Sequence, residues 1–275
     1  MSGDKFTIGL VQMTSGNVVA ENLAVAEGFI REAAAGGAGL VMTPEMTPLL
    51  ELGRKALMEK IHSQAEDPAV EHFAALAKEL GIWLMVGSMP ILEGEKVANR
   101  CFFFGPDGAL KHTYDKIHMF DVDLPNGEQY RESRAYQAGD KAVLADMPWG
   151  RMGLTICYDL RFPHLYRKLA KAGATMLSVP AAFTKQTGEA HWHTLLRARA
   201  IENGAFVFAP AQTGCHASGR ETFGHSLVVD PWGRILADGG AGPGVSLAEI
   251  ALTLVEKARA NIPSLQHDRH FEDPA

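Results

Sequence analysis

Hydrophobic and polar positions run along this chain in two alternating rhythms. In KFTIGLVQM (5–13), Phe6, Ile8 and Leu10 share one face of a strand. The segment after it, NVVAENLAVAEGFIREAAAGG (17–37), turns apolar at helical spacing through Leu23, Ala26 and Ile30 and stops at glycines. GLVMTPE (39–45) reads as a short strand cut off by Pro44. DPAVEHFAALAKELG (67–81) carries full helix punctuation, with Asp67 as N-cap, Pro68 in the first turn and Gly81 past the end. IWLMVGSM (82–89) is a further strand, and VANRCFFFGPDGALKHTYDK (97–116) a hairpin turned at Pro106-Asp107-Gly108.

A segment poor in periodicity runs from about Ile117 to Lys141. Its length inside a compact chain marks it as functional or mobile. The rhythm then resumes. A hairpin, AVLADMPWGRMGLTIC (142–157), leads to a helix after Pro163 and a strand, ATMLSVPAAF (174–183). A helix, AHWHTLLRARAIENG (190–204), precedes the strand AFVFAPAQ (205–212). A hairpin (225–238), a strand (245–250) and a helix (252–262) complete the pattern. Hairpins alternating with single helices predict an α/β protein whose mixed sheets pack together under helices. No Pro/Gly/Ser linker divides the chain. The expectation is one domain over 1–275, with a polar tail from about 262.

Composition narrows the class. The chain has 275 residues, 47% of them hydrophobic, enough for a full core, and a formal net charge of −6. No basic stripe points to nucleic acid, and no apolar run is long enough for a membrane span. The opening MSGDKFTIGLVQM lacks the basic and apolar regions of a secretory signal. The three cysteines, Cys101, Cys157 and Cys215, are far apart and without CxxC spacing. A disulfide framework is therefore not expected, and a cytoplasmic location is.

The chemistry concentrates at strand exits. No P-loop, G-x-S-x-G elbow, H-E-x-x-H helix or G-x-G-x-x-G turn occurs. His191 and His193, two apart on a helix, do not share a face, so no metal is expected there. In RMGLTIC (151–157) strand alternation puts Met152, Leu154 and Ile156 on one face, and Gly153, Thr155 and Cys157 on the other, small enough to admit a ligand. DLRFPHLYRKLAKAG follows as a helix with Phe162, Leu165, Tyr166 and Leu169 as its stripe. Cys157 thus sits at a strand-to-helix corner, where outward N–H groups favour a thiolate and an oxyanion. Glu45, Lys116 and Glu132 also lie just past strands or in the long loop. A carboxylate beside the thiol supplies a base, and a lysine supplies positive charge. Arg199 falls on the apolar stripe of its helix. Either an ion pair or a snorkelling side chain accounts for it.

TPEM, YDKIHMFD, YRES and GLTICYDLRFP, in that order, resemble the nitrilase or carbon–nitrogen hydrolase superfamily, and the resemblance runs from the first strand to IPSLQH near the end. It implies a four-layer α/β/β/α sandwich, two mixed sheets face to face, paired into a homodimer or higher homo-oligomer. It implies no metal and no organic cofactor. Carried over residue by residue, it implies Cys157 as nucleophile, Glu45 as general base and Lys116 as oxyanion cation, with Glu132 positioning lysine and substrate. The mechanism it implies also uses the backbone N–H of Tyr158 as a second oxyanion donor. LLRARAIEN, AQTGCH and FGHSLVVDPWG resemble the amidases that act on deaminated glutathione more than the omega-amidases for α-ketoglutaramate.

The expected substrate is therefore a small amide carrying several carboxylates. Arg161, Lys185, His216 and Arg220 are the candidate contacts, the last two in a loop (213–224) that aligns poorly with that branch. The sequence leaves three alternatives open. They are an omega-amidase, a binding or scaffold protein on the same fold, and a redox thiol protein acting through Cys157.

Overall fold

The computed structural model describes residues 5–125 and 127–272. Asn126 of the long loop, the first four residues and the last three of the expected tail lie outside the described residues. Two mixed sheets form the centre. The first runs in the order 244–251, 5–12, 40–42, 83–93, 96–104, 110–115, with Tyr136–Gln137 also paired to 96–104. The second runs 235–238, 227–229, 206–209, 176–178, 150–154, 143–147. In each sheet the inner pairs are parallel and antiparallel hairpins extend the flanks.

Period-two patterning decides which side chains face which layer. Phe6, Ile8, Leu10, Leu40, Met42, Met85 and Phe103 meet Met152, Leu154, Met176, Phe206 and Val228 in one core between the sheets. The alternate residues of the first sheet, Val11, Val41, Leu84, Phe102 and Phe104, pack beneath helices Val19–Ala35 and Pro68–Leu80. Helices Pro163–Lys171 and His193–Asn203 cover the second sheet through Leu165, Tyr166, Leu169, Leu196 and Ala200. This is the four-layer α/β/β/α sandwich that the sequence implied. Among the described residues no helix is long and apolar enough to cross a membrane.

The helix punctuation is used as read. The Asp67 side chain accepts from the Ala69 N–H, and Gly81 takes the left-handed conformation at the other end. The last helix stops at Asn261, and the segment beyond is tied down by Arg167 donating to Ser264 O and Lys171 to Asp268.

The strand before Cys157 differs from expectation. Pairing ends at Leu154, and Cys157 opens a single 3-10 turn, Cys157–Arg161, with a backbone φ of 47°. The Gly153 and Thr155 face is filled by the covering helix. A Cβ on Gly153 would stand 2.9 Å from Leu169, and Thr155 Oγ1 lies 2.7 Å from Tyr166 Oη. Room at Cys157 therefore comes from the left-handed turn, which swings it out of the strand, and not from a small-residue face.

One glycine lets the loops bearing Glu45 and contacting Cys157 approach each other. A Cβ on Gly87 would lie 2.1 Å from Thr43 O, 2.7 Å from Pro44 O and 2.4 Å from Pro180 Cβ. Thr43-Pro44 leads to Glu45, and Pro180 O accepts the Cys157 N–H at 2.9 Å. Gly87→Ala must push two loops apart. The expected cost is about 1–3 kcal/mol, read as a lowered thermal midpoint; an unchanged midpoint would refute this packing.

Candidate active site

Four elements deliver their ends to one cavity of about 250 Å³. Glu45 follows strand Leu40–Met42, in a turn fixed to the neighbouring strand by Met46 N–H to Ser88 Oγ (3.0 Å) and Thr47 N–H to Ser88 O (3.1 Å). Lys116 follows strand Leu110–Asp115, and its N–H donates to Asn99 O at 2.9 Å. Glu132 stands in the long loop, just past the small hairpin Asp121–Asp123/Gln129–Arg131. Cys157 opens its turn. All four line the cavity wall, with Tyr158 and Arg220 beside them.

The charges are locked together. Lys116 Nζ lies 3.0 Å from Glu45 Oε1, and 3.0 and 2.9 Å from the two oxygens of Glu132. Glu45 Oε2 accepts the Ala182 N–H at 2.8 Å, and Glu132 Oε2 accepts the Phe120 N–H at 2.6 Å. Asn99, fully buried, donates to Glu45 at 2.9 Å and Glu132 at 3.3 Å. Sequence reading missed Asn99. The signal was an amide on the face of a strand that otherwise shows Val97, Cys101 and Phe103.

Burial and charge together set the protonation states. Burial acts to raise the Glu45 carboxyl. The Lys116 charge, the hydrogen-bonded Cys157 thiol and the Lys116 and Ala182 donors outweigh it, so Glu45 titrates below its ordinary value. Burial, then the adjacent Glu45 charge, push the Cys157 thiol well above its ordinary value against the pull of Lys116. Burial opposes the Lys116 ammonium, but Glu132, Glu45 and Cys157 hold it well above its ordinary range. The resting site is a neutral thiol against a carboxylate, with an ammonium alongside. Such a set can pass the thiol proton to Glu45 as sulfur attacks, and can face a developing oxyanion with positive charge.

The other predicted contacts divide. Arg220 reaches the cavity, with its guanidinium 5.1 Å from the Tyr130 ring centre and one nitrogen donating to Ala182 O. Its Nε is buried without a partner among the described residues. Arg161, Lys185 and His216 are not on the wall. Arg161 stacks behind two residues that are, 5.9 Å from the Tyr158 ring and 5.3 Å from that of Phe183. Lys185 is exposed and pairs with Glu221 at 3.3 Å. His216 is buried between Ser15 O (2.8 Å) and Thr222 Oγ1 (2.7 Å), and burial lowers its pKa. Each of these three side chains thus meets protein groups away from the cavity wall.

Asp159 and Arg199 brace the corner. Asp159 Oδ2 accepts from Tyr114 Oη at 2.7 Å and the Ile156 N–H at 2.9 Å. Its Oδ1 accepts from the His118 N–H at 3.1 Å and lies 2.6 Å from His118 Nδ1. Arg199 donates twice to Leu160 O, at 3.0 and 2.7 Å, and pairs with Glu202 at 2.9 Å. Its guanidinium is answered within the protein by the Leu160 carbonyl and by the Glu202 carboxylate, and does not snorkel to water, which accounts for its place on the apolar stripe.

Comparison with known proteins agrees with this geometry. A family model described as carbon–nitrogen hydrolase matches residues 7–260. The chain is 42% identical over 266 residues to the deaminated glutathione amidase of Yersinia enterocolitica, covering 95% of this chain and 92% of that protein. It is 44% identical over 263 residues to the deaminated glutathione amidase of Synechocystis sp., covering 94% and 96%. Among solved structures, the NitFhit protein of C. elegans superposes with a TM-score of 0.89 at 36% identity, covering 98% of this chain and 66% of that longer one.

The electrostatics make one prediction with a definite sign. Glu45 raises the Cys157 pKa through its charge and its hydrogen bond. Glu45→Gln removes the charge and leaves Lys116 in place, so the thiol should titrate at lower pH than in the wild type. The pH dependence of iodoacetamide alkylation at Cys157, followed by mass spectrometry, measures this; an unmoved or raised midpoint would contradict it.

Proposed function

The chain belongs to the carbon–nitrogen hydrolase family, and we propose that it is a cysteine-dependent amidase whose substrate is deaminated glutathione, cleaved to a 2-oxo acid and cysteinylglycine. The observation that carries the reading is the buried Glu45–Lys116–Glu132 cluster set against the Cys157 thiol on a cavity wall. The near full-length relatives of that name support the choice of substrate.

The proposed reaction is an acyl transfer through a thioester. Glu45 takes the thiol proton as Cys157 Sγ bonds to the amide carbon. Lys116 and the Tyr158 N–H stabilise the oxyanion of the tetrahedral intermediate, and Glu132 holds Lys116 toward it. The C–N bond breaks as Glu45 returns the proton to the departing amine. Water, deprotonated by Glu45, then attacks the thioester and frees the acid and the thiol. Arg220 is the proposed carboxylate anchor. Its place on the cavity wall supports this, because a guanidinium there can meet a substrate carboxylate. The further readings of a homodimer or larger homo-oligomer and a cytoplasmic location are open to sedimentation equilibrium and cell fractionation.

Cys157→Ala should abolish turnover. Brief exposure of the wild type to substrate, followed by acid quench, should leave an acyl mass on Cys157. Turnover without Cys157, or a bound but never cleaved amide, would favour a different enzyme or a binding protein. Product release should be measured on deaminated glutathione, α-ketoglutaramate, succinamate, an N-carbamoyl amino acid and a nitrile. The first should be fastest; a higher rate on α-ketoglutaramate would make the protein an omega-amidase.

Arg220→Gln should raise KM for the carboxylate-bearing substrate about 10–100-fold, the equivalent of a charged hydrogen bond of about 1.5–3 kcal/mol. Hydrolysis of an uncharged short amide should change little. An equal loss on both amides would assign Arg220 to the fold instead.

A further inference from the structure

Away from the cavity, three metal-ligating side chains converge beside the edge strand of the second sheet. His193 opens helix His193–Asn203, His225 precedes strand Leu227–Val229, and Asp238 ends the edge strand Ile235–Asp238. His193 Nε2 lies 3.3 Å from Asp238 Oδ2. His225 Nδ1 lies 2.9 Å from Oδ1 and 3.1 Å from Oδ2. All three donor atoms fall within 4.8 Å of one another. The side chains are 35%, 28% and 34% exposed, so water has access to the remaining coordination positions.

Two of the ligand spacings match those of a coordination sphere. Ligands about 2.0–2.1 Å from a tetrahedral ion stand about 3.3–3.4 Å apart, and the two imidazoles approach the single oxygen Oδ2 at 3.3 and 3.1 Å.

The set is also held in place. His225 is a non-glycine residue at φ 54°, a conformation that persists only where the surroundings impose it. Its N–H donates to Gly240 O at 2.7 Å, and its carbonyl accepts from Trp192 Nε1 at 2.8 Å. Its ring stacks on Phe223 at 4.5 Å, and Phe223 meets His193 edge-on at 5.9 Å. Asp238 Oδ1 accepts the Gly240 N–H at 2.8 Å, which orients the carboxylate.

We propose that His193, His225 and Asp238 bind one divalent transition-metal ion of the zinc class. Two imidazoles and one carboxylate suit such an ion, whereas magnesium and calcium take oxygen ligands. The ion replaces the protons that the imidazoles share with Asp238. Each ring keeps its proton on the other nitrogen, and its lone pair faces the metal. The site revises the expectation of no metal: His193 works with His225 and Asp238, not with His191. Its role is mechanical. It joins the helix start to the sheet edge and, through Phe223, to the hairpin Thr213–Cys215/Glu221–Phe223, whose loop carries Arg220. The proposal does not rest on the amidase reading.

The test is titration of the tag-free full chain with Zn²⁺ against a chromophoric chelator. One equivalent should bind. His193→Gln and Asp238→Asn should each weaken binding at least about tenfold. Zinc should raise the unfolding midpoint of the wild type and not that of the variants. Both variants should keep wild-type circular dichroism and metal-free activity, which separates loss of the site from loss of the fold. Absence of binding, wild-type affinity in both variants, or affinity that disappears with Cys157→Ala or Cys215→Ser instead would overturn the proposal.

Discussion

The Lys116 ammonium has been taken out of water and placed within about 3 Å of both Glu45 and Glu132. Three buried charges are tolerable only if each is answered and every remaining lone pair has a donor. Here both conditions hold. The Ala182 and Phe120 N–H groups and the Asn99 amide complete the two carboxylates. Those donors come from different strands and from the long loop, so the cluster forms only when both sheets are packed and the loop is down. Removing the ammonium would leave two carboxylates facing each other in a dry site, a loss of about 3–5 kcal/mol for a broken buried pair. The same arrangement keeps Glu45 ionised and Cys157 protonated. One cation therefore governs both the stability of the cluster and the ionised state of Glu45.

A second buried carboxylate sets where the sulfur stands. Tyr114 and His118 lie two residues either side of Lys116, Ile156 immediately precedes Cys157, and all three meet Asp159. Asp159 thus staples the strand end that carries the lysine to the turn that carries the cysteine, across the interface between the sheets. The left-handed backbone at Cys157 is strained for a residue with a Cβ. Three restraints oppose that strain: the Cys157 N–H to Pro180 O, the Asp159 staple, and Arg199 on the Leu160 carbonyl. Arg199 sits on an apolar stripe because the carbonyl it closes is there.

This division explains what could be read from the sequence. Strand and helix identities follow from periodicity and capping, which are local, so Asp67, Gly81 and the alternation at Phe6, Ile8 and Leu10 were legible. Glu45, Lys116, Glu132 and Cys157 were legible as a set because each sits at a strand exit or in the long loop and their motifs recur in order. The turn at Cys157 was not, because alternation carries no sign of where pairing ends. Nor were the positions of Arg161, Lys185 and His216. A charged or polar residue in a loop looks the same in sequence whether it meets a ligand, a ring or a neighbouring carboxylate. His193, His225 and Asp238 are brought together only by the sheet order, so their meeting has no local signature.

The cavity wall is consequently of two kinds. The groups proposed to react stand on strand ends and on turns clamped by buried hydrogen bonds, where a small displacement is costly. Arg220 stands on a short hairpin, pinned by its bond to Ala182 O and its contact with Tyr130. Phe223 at the foot of that hairpin packs against Gly188, where a Cβ would come within 2.3 Å, and stacks on His225. The proposed chemistry is therefore built into the sandwich, whereas Arg220 is borne by a hairpin tied to it by the Thr213 N–H to Met13 O, the Phe223 N–H to Phe183 O and the buried His216 against Ser15 O. Under the proposed assignment, changes in substrate preference among chains of this fold should be concentrated in that hairpin and not in the Glu45–Lys116–Glu132 cluster.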